Sequence, residues 1–502
     1  MKILKLLEKN KVFWFLLISY LVFFLLRLPS LIEPNWYGDE GIYQVIGKAL
    51  VENRILYAQI WDNKPPLLYI TYALFNGEQF QIRFFSLFSG LLAVIALFYL
   101  SRLLFKNFKS SIISTSVFIL LFATPLMEGN IANAENFMLF PIITSGFLVY
   151  SYSQDIKLKI FDTRYKLLLG AGLLLGLAFL FKIVAIFDIA AFLVFLLIVN
   201  TPERFRFTIT RLLFLFKSIM MPLLPLIVGF IFPLGITGLY FISQNAFSEF
   251  TTATFFSNVG YVGYGNKLII PQGLLLLKLS ALLIFVFLIF KNRKVISTPI
   301  TFILIWFAFS LFNTFFSGRP YMHYTLVVLP SLCLAIGLLQ EKMQPKLKYL
   351  IIISLILSFT ILNKNFKFNL IRTFNYYGNA ASFIIGKKDS TTYQSFFDRK
   401  TPRDYEIASY IRARTQPEDE VFIWGDNAQI YALSDKIPPG KYTVSYHIVQ
   451  YENAIPETES AITNSNPKYI VILKNSRSFP FSLSGYDRKT VFQENLIYER
   501  NY

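Results

Sequence analysis

The sequence predicts a polytopic α-helical membrane protein that carries a C-terminal α/β domain. Three observations predict it. The 502 residues are 55% hydrophobic and 18% aromatic, with a mean hydropathy of +0.50, more apolar than a soluble globular chain. Apolar runs close to spanning length recur as far as residue 362. From residue 363 the pattern changes: charge rises, and short strand-like runs alternate with helical ones.

A spanning helix needs about 20 apolar residues. Candidates are 12–32, 83–105, 110–127, 136–153, 167–182, 185–200, 219–242, 268–290, 299–316, 324–340 and 347–362, about eleven helices in all. The fifth and sixth are short, and read as two spans, one long helix or a helical hairpin. The first is expected to be retained, because residues 1–11 carry charge but no small-residue cleavage site follows 12–32. The single cysteine, Cys333, allows no intrachain disulfide.

Charge supports the alternation of loops. Residues 1–363 hold 30 Lys+Arg against 15 Asp+Glu, whereas 364–502 hold 18 against 15. The segments 2–11, 102–109, 157–166, 204–217, 291–294 and 342–348 carry 21 of those 30 basic residues. They are every second connection, as a cytoplasmic N-terminus requires. An odd number of spans then puts the C-terminal domain outside the membrane. The basic excess sits in the membrane part, which points away from nucleic acid.

The chain therefore divides into 1–363, the transmembrane part with its first outer loop at 33–82, and 364–502, an extracytoplasmic α/β domain. In the first loop, 41–53 is an amphipathic run suited to the interface. Pro65-Pro66 disfavours helix through Lys64, and 67–75 is too short to span. The loop 244–267 is rich in Phe, Tyr, Gly and Ser, as expected of a segment that meets lipid or substrate. In the tail, 402–414 reads as a helix capped by Thr401, 421–424 and 469–473 as buried strands, and 456–464 as a helix.

The organising stretch is Trp36-Tyr-Gly-Asp-Glu-Gly-Ile-Tyr43 with Trp61-Asp-Asn-Lys-Pro-Pro-Leu-Leu-Tyr69. Asp39 and Glu40 follow the first span, among Trp36, Tyr37 and Tyr43. The bland reading is a solvated acidic pair; the functional one is a carboxylate that accepts the proton of an attacking hydroxyl. Glu135 opens the fourth span on the same face, where a carboxylate also favours the helix dipole. Glu128 has no such placement and reads as structural.

The cations are Lys64, Lys182, Arg319 and His323. Lys182 read blandly snorkels or pairs with Asp188, and Arg319 anchors the interface; the role of mid-span Lys278 is open. Their convergence on the carboxylate face fits a phosphate leaving group, which needs neutralising charge and no general acid. There is no phosphate loop, no His-Glu-x-x-His, no Cys-x-x-Cys and no dinucleotide fingerprint.

At these residues the chain resembles the GT-C superfamily, specifically glycosyltransferase family 39. That family includes dolichyl-phosphate-mannose–protein mannosyltransferases and the bacterial enzymes that move aminoarabinose to lipid A. The matching pieces are Gly38-Asp-Glu40 with Tyr43, Asn63-Lys-Pro-Pro-Leu67, Asn133-Ala-Glu135, Lys182 and Gly318-Arg-Pro-Tyr-Met-His-Tyr324. Weaker matches lie in the tail, at Ile411-Arg, Val421-Phe-Ile-Trp-Gly425 and Ile430-Tyr.

The resemblance implies GT-C architecture and inverting transfer from a polyprenyl-phosphate-linked sugar, on the outer face of a bacterial inner membrane. The acceptor would be a lipid, a protein or a glycan. It implies Asp39 as the base or acceptor-orienting carboxylate, supported by Glu40 and Glu135. Lys64 and Arg319, with Lys182 and His323, would grip the phosphate, and Tyr43, Tyr321 and Tyr324 would line the substrate. No organic cofactor is implied; a divalent metal is left open. One departure bears on it: the aminoarabinose enzymes carry a glutamate before the motif lysine, where this chain has Asn63.

Two rival classes remain at this level. A lipid or sugar transporter would line its pathway with Lys182, Asp188 and Lys278, although no inverted repeat is visible. A non-catalytic binding protein would work through its tail.

Overall fold

The computed structural model describes residues 2–156, 164–201, 221–268, 272–474, 476–492 and 494–501. Helix α1 (Lys2–Arg27) leads into a long connection that holds α2 (Gly38–Val51) and α3 (Pro66–Ala73). Helices α4 (Gln79–Leu104), α5 (Phe108–Ala123), α6 (Ala134–Ser153), α7 (Arg164–Phe181) and α8 (Ile186–Asn200) follow. Helices α9 (Met221–Ser243), α10 (Gly273–Lys291), α11 (Thr298–Phe316), α12 (Leu329–Leu338) and α13 (Pro345–Phe366) complete the bundle. The basic segments at 157–163 and 204–217 lie outside the described residues.

The described part of each expected span falls on helix, and 219–220 and 269–271 lie outside the described residues. Among the described residues seven helices are long and apolar enough to cross a bilayer, and three shorter apolar ones, Phe108–Ala123, Tyr165–Phe181 and Met322–Leu338, stand at expected spans. The 20-residue α6 stands at the remaining one. Trp14, Ile18, Leu25, Phe232 and Phe287 project outward with more than half their surface exposed. An apolar exterior of this kind suits lipid, not water. The chain is a multi-pass membrane protein.

The fifth and sixth spans are two separate helices. Lys182 breaks the run in an extended conformation (φ −157°, ψ 129°), and Ile183–Ala185 makes one 3-10 turn before α8. Helix α7 packs between α6 and α9, whereas α8 packs on α11.

One ordering detail follows from proline. Helix α3 starts at Pro66, with Pro65 extended at its N-cap (ψ 159°). The missing N–H of proline costs nothing in a first turn, while the ring excludes helix before it. The amphipathic run becomes α2, but it is not laid out on a lipid surface. Ile42, Val45, Ile46 and Ala49 are all buried.

Beyond α13 the chain forms α14 (Leu370–Ile384), α15 (Thr401–Arg412), β1 (Val421–Trp424), α16 (Gln429–Ser434), α17 (Ser445–Gln450) and α18 (Ala454–Ser465). Strands β2 (Tyr469–Ile472), β3 (Tyr486–Phe492) and β4 (Asn495–Arg500) close a four-stranded sheet in the order β1-β2-β4-β3. The β1–β2 pair is parallel, and the other two pairs are antiparallel. The expected cap is displaced by one residue: Thr401 is the first helical residue and Lys400 the N-cap. Asp398 satisfies that end, accepting from Lys400 N through its carboxylate and from Thr401 N through its carbonyl.

What positions the site is a core shared between sequence-distant parts. Ile42, Ile46 and Leu68 of the long connection pack in one cluster with Ile407, Val421, Ile430 and Ile470 of the tail. Each such buried side chain contributes about 1.5–3 kcal/mol, so the two parts are held firmly together. Helix α2 runs so close to both neighbours that side chains are excluded. A Cβ on Gly41 would stand 2.7 Å from Gln429 N, and one on Gly47 2.8 Å from the Tyr72 carbonyl carbon. Trp61 N donates to Lys441 O at 2.9 Å, which ties the Trp61 segment to the tail by its backbone.

Candidate active site

Asp39 and Glu40 occupy the first turn of α2. Successive helical residues project about 100° apart, so the pair is split. Asp39 faces a cavity of about 740 Å³. Glu40 turns inward and is fully buried, where Arg83 Nε and Nη2 donate to its two oxygens at 2.9 and 2.6 Å. Glu33 holds the same guanidinium from the other side, 2.8 Å from Nη1. Glu40 thus lies outside the cavity lining, and its contacts with Arg83 tie α2 to α4. Tyr43 also lies away from the cavity. Its hydroxyl donates to Asp39 Oδ2 at 3.2 Å, and its ring lies 4.9 Å from Lys64 Nζ. It contacts two lining residues and is not itself part of the cavity lining.

Lys64 enters the cavity from the turn before Pro65. Its Nζ is 3.8 Å from Asp39 Oδ2 and 3.5 Å from Asp62 Oδ2. Tyr57 donates to its carbonyl at 2.7 Å, which fixes the turn. Asp62 is buried and accepts from Tyr69 Oη at 2.7 Å and Asn63 N at 2.8 Å. Burial alone would raise its pKa, but Lys64, His447 and these hydrogen bonds outweigh burial and hold it below the usual carboxylate range.

The bundle supplies the opposite charges. Lys182, freed by the break between α7 and α8, forms an ion pair with Glu135 at the start of α6 and lies 4.3 Å over the Tyr324 ring. Arg319, Tyr321, His323 and Tyr324 line the cavity from the turn after α11. That turn depends on glycine: Gly318 has φ +69°, and a Cβ there would meet the Gly265 carbonyl oxygen at 2.3 Å. His323 Nδ1 is 3.0 Å from both Tyr37 Oη and Glu128 Oε2, and the Tyr37 hydroxyl donates to Glu128 at 3.1 Å. His323 Nε2 is 4.0 Å from Glu135 Oε1.

The cavity thus gathers Asp39, Glu135, Lys64, Lys182, Arg319, His323, Tyr321 and Tyr324 of the expected set, and excludes Glu40 and Tyr43. Its three lining carboxylates differ in access. The Asp39 side chain is 37% exposed, against 3% for Asp62 and 2% for Glu135. Asp39 alone of the three is open to a substrate hydroxyl.

Sequence reasoning missed five residues. Tyr37 and Asp62 flank the motif positions, and Glu128, read as structural, holds His323. Tyr446 and His447 come from α17 of the tail. The chain has only two histidines, and the second was the available signal. The residues that a transporter would use do not share a pathway. Asp188 accepts from Trp306 Nε1 at 2.7 Å, and Lys278 donates to Asn266 Oδ1 at 2.7 Å and Phe315 O at 2.5 Å. Among the described residues no three of His, Cys, Asp and Glu cluster as metal ligands.

A protein-family profile described as dolichyl-phosphate-mannose-protein mannosyltransferase matches residues 64–228, a third of the chain. That stretch holds Lys64, Glu135 and Lys182. The fold is similar to the crystal structure of ArnT from Cupriavidus metallidurans bound to undecaprenyl phosphate, with a TM-score of 0.57 and 15% identity over 97% of this chain and 98% of that one. The apo form of the same protein matches with a TM-score of 0.56 and 15% identity over 98% of each chain. No curated protein matches the chain by sequence.

Proposed function

We propose that this chain, whose fold is that of the GT-C glycosyltransferases, moves a hexosyl or pentosyl unit from a polyprenyl-phosphate donor to an acceptor hydroxyl. The acceptor is a lipid, a protein or a glycan at the outer face of the bacterial inner membrane. The N-terminus is cytoplasmic, 1–363 forms the membrane catalytic part, and 364–502 forms an extracytoplasmic domain. One observation carries the reading: a single exposed carboxylate, Asp39, stands beside Lys64 in a cavity that also presents Lys182 and Arg319.

In this reading Asp39 takes the proton of the acceptor hydroxyl as its oxygen bonds to the anomeric carbon. The bond from that carbon to the phosphate oxygen breaks on the opposite face, so configuration inverts. The electron pair leaves with the polyprenyl phosphate, and Lys64, Arg319 and Lys182 neutralise the charge that develops there. Glu135 keeps Lys182 oriented, and the Tyr37–Glu128 pair does the same for His323.

Support against a transporter is the separation of Lys278 and Asp188, which meet different partners, Asn266 and Phe315 for the one and Trp306 for the other, and do not line the cavity that holds Lys182. Reconstituted in vesicles with labelled polyprenyl-phosphate sugars, the protein is expected to release free polyprenyl phosphate and form a glycoside of inverted configuration. Sugar moved across the bilayer with no glycosidic bond made overturns the proposal.

A further inference from the structure

Helix α17 reaches the catalytic cavity from the tail because its start is fixed. Ser445 N donates to Gly425 O at 2.9 Å, and the Asp426 carboxylate accepts from Ser445 Oγ at 2.5 Å and Tyr446 N at 3.1 Å. Asp426 lies just past β1, so the sheet itself aims the helix. Four consequences of that aim, Tyr446, His447, Gln450 and Tyr451, line the same space as Asp39 and Lys64.

His447 is 3% exposed. Its Nε2 is 3.9 Å from Asp62 Oδ1, and its Nδ1 has no hydrogen-bond partner among the described residues. Its ring meets Trp61 edge-on at 4.9 Å, and Tyr451 stands 4.2 Å from the same indole. A buried ring nitrogen without a partner is costly unless a ligand group meets it.

The chemistry of this wall selects what it faces. Among the described residues the tail contributes no lysine or arginine to the cavity lining, so it is not the side that takes the phosphate. Its mixture of imidazole, amide and phenol is too polar for a polyprenyl chain. Aromatic faces beside amides, here Gln450 with Asn63 and Asn258 nearby, are what a sugar ring needs. Its hydroxyls take hydrogen bonds, and its CH face packs on rings.

Resting on the transfer reading above, we propose that α17 forms the subsite for the donor's glycosyl ring, with His447 and Gln450 hydrogen-bonding its hydroxyls and Tyr451 packing on it. The tail domain thereby decides which sugar is transferred, while the bundle holds the phosphate common to all donors. His447 and Gln450 are specificity residues.

The test uses the full chain in nanodiscs and two kinds of probe. One is a short-chain polyprenyl phosphate without sugar; the other is the same lipid phosphate carrying glucose, galactose, mannose or arabinose. Wild type is expected to bind at least one glycosylated lipid more tightly than the bare one. His447→Phe and Gln450→Ala are each expected to weaken that binding about tenfold or more, the loss of a ligand hydrogen bond, and to leave bare-lipid affinity unchanged. His447→Gln, which keeps a hydrogen-bonding group, is expected to recover part of the loss. Gln450 is exposed, so its variant decides the matter if His447→Phe does not fold. Unchanged preference in Gln450→Ala and in whichever His447 variant folds, or equal loss of both probes, overturns the subsite. Wild type that binds bare lipid phosphate but prefers no glycosylated form overturns it too, and leaves the transfer reading standing. Wild type that binds neither probe removes the donor reading itself.

Discussion

Asp39 Oδ2 lies 3.8 Å from Lys64 Nζ, with the Tyr43 hydroxyl donating to the same oxygen at 3.2 Å. The carboxylate is oriented but not consumed by these contacts, since a third of the side chain remains exposed. Asp39→Asn keeps the shape and removes the base. Transfer is expected to fall by about 10²–10⁴-fold, the usual worth of a positioned general base. Donor affinity should stay within a few-fold, because Lys64, Lys182 and Arg319 are untouched. A single-turnover assay beside a donor-binding titration separates the two; wild-type turnover in Asp39→Asn would remove the assigned base.

The neighbouring acid is expected to behave in the opposite way. Glu40 is buried against Arg83, which Glu33 also holds. Taking one partner from a buried ion pair costs about 3–5 kcal/mol, toward the lower end here because Glu33 still neutralises the guanidinium. Glu40→Gln should therefore melt at lower temperature, while the folded fraction keeps near wild-type turnover. Lost turnover at unchanged thermal stability would return Glu40 to the chemistry.

These two residues mark where sequence reading succeeds and fails. The spans were legible because apolar runs and loop charge leave one-dimensional traces, and the Pro65-Pro66 start of α3 follows from proline geometry alone. That Asp39, Lys64, Glu135, Lys182 and Arg319 would meet was also legible, as residues on one expected face. The division of labour between Asp39 and Glu40 was not, since it depends on which side of α2 meets Arg83. The tail's share in the cavity was equally hidden. Nothing near His447 in the chain announces Asp62 or Trp61, nearly 400 positions away; the Trp61–Lys441 backbone contact brings them together.

Lys182 and Glu135 should show coupling. Lys182→Met leaves the Glu135 carboxylate buried without its ammonium partner, with His323 Nε2 4.0 Å away. Stability should fall, and donor affinity should fall about 10–100-fold if the ammonium bonds to phosphate. The double variant Lys182→Met with Glu135→Gln removes the stranded charge, so it should regain stability without regaining donor affinity. Recovery of both would make the pair purely structural.

Acidification gives a prediction with a definite sign. Burial, the largest influence, pushes His447 from its usual 6.5 down to about 4, with Lys64 acting in the same direction and Asp62, Asp39 and Asp426 opposing it. Between those values the unfolded chain binds a proton at this position and the native chain does not. Native stability therefore rises with pH across the window and is lost as pH falls from 6.5 toward 4. A shift of this size corresponds to at most about 3 kcal/mol. Asp62, held below the usual carboxylate range, remains ionised through most of the window and loses its own contribution at lower pH. Thermal melts of wild type and His447→Gln from pH 4 to 8 test this. Between pH 4 and 6.5 the wild-type melting temperature should rise more steeply than that of the variant, and above pH 7 the two slopes should agree. Parallel curves throughout would mean that His447 is not held neutral by its surroundings.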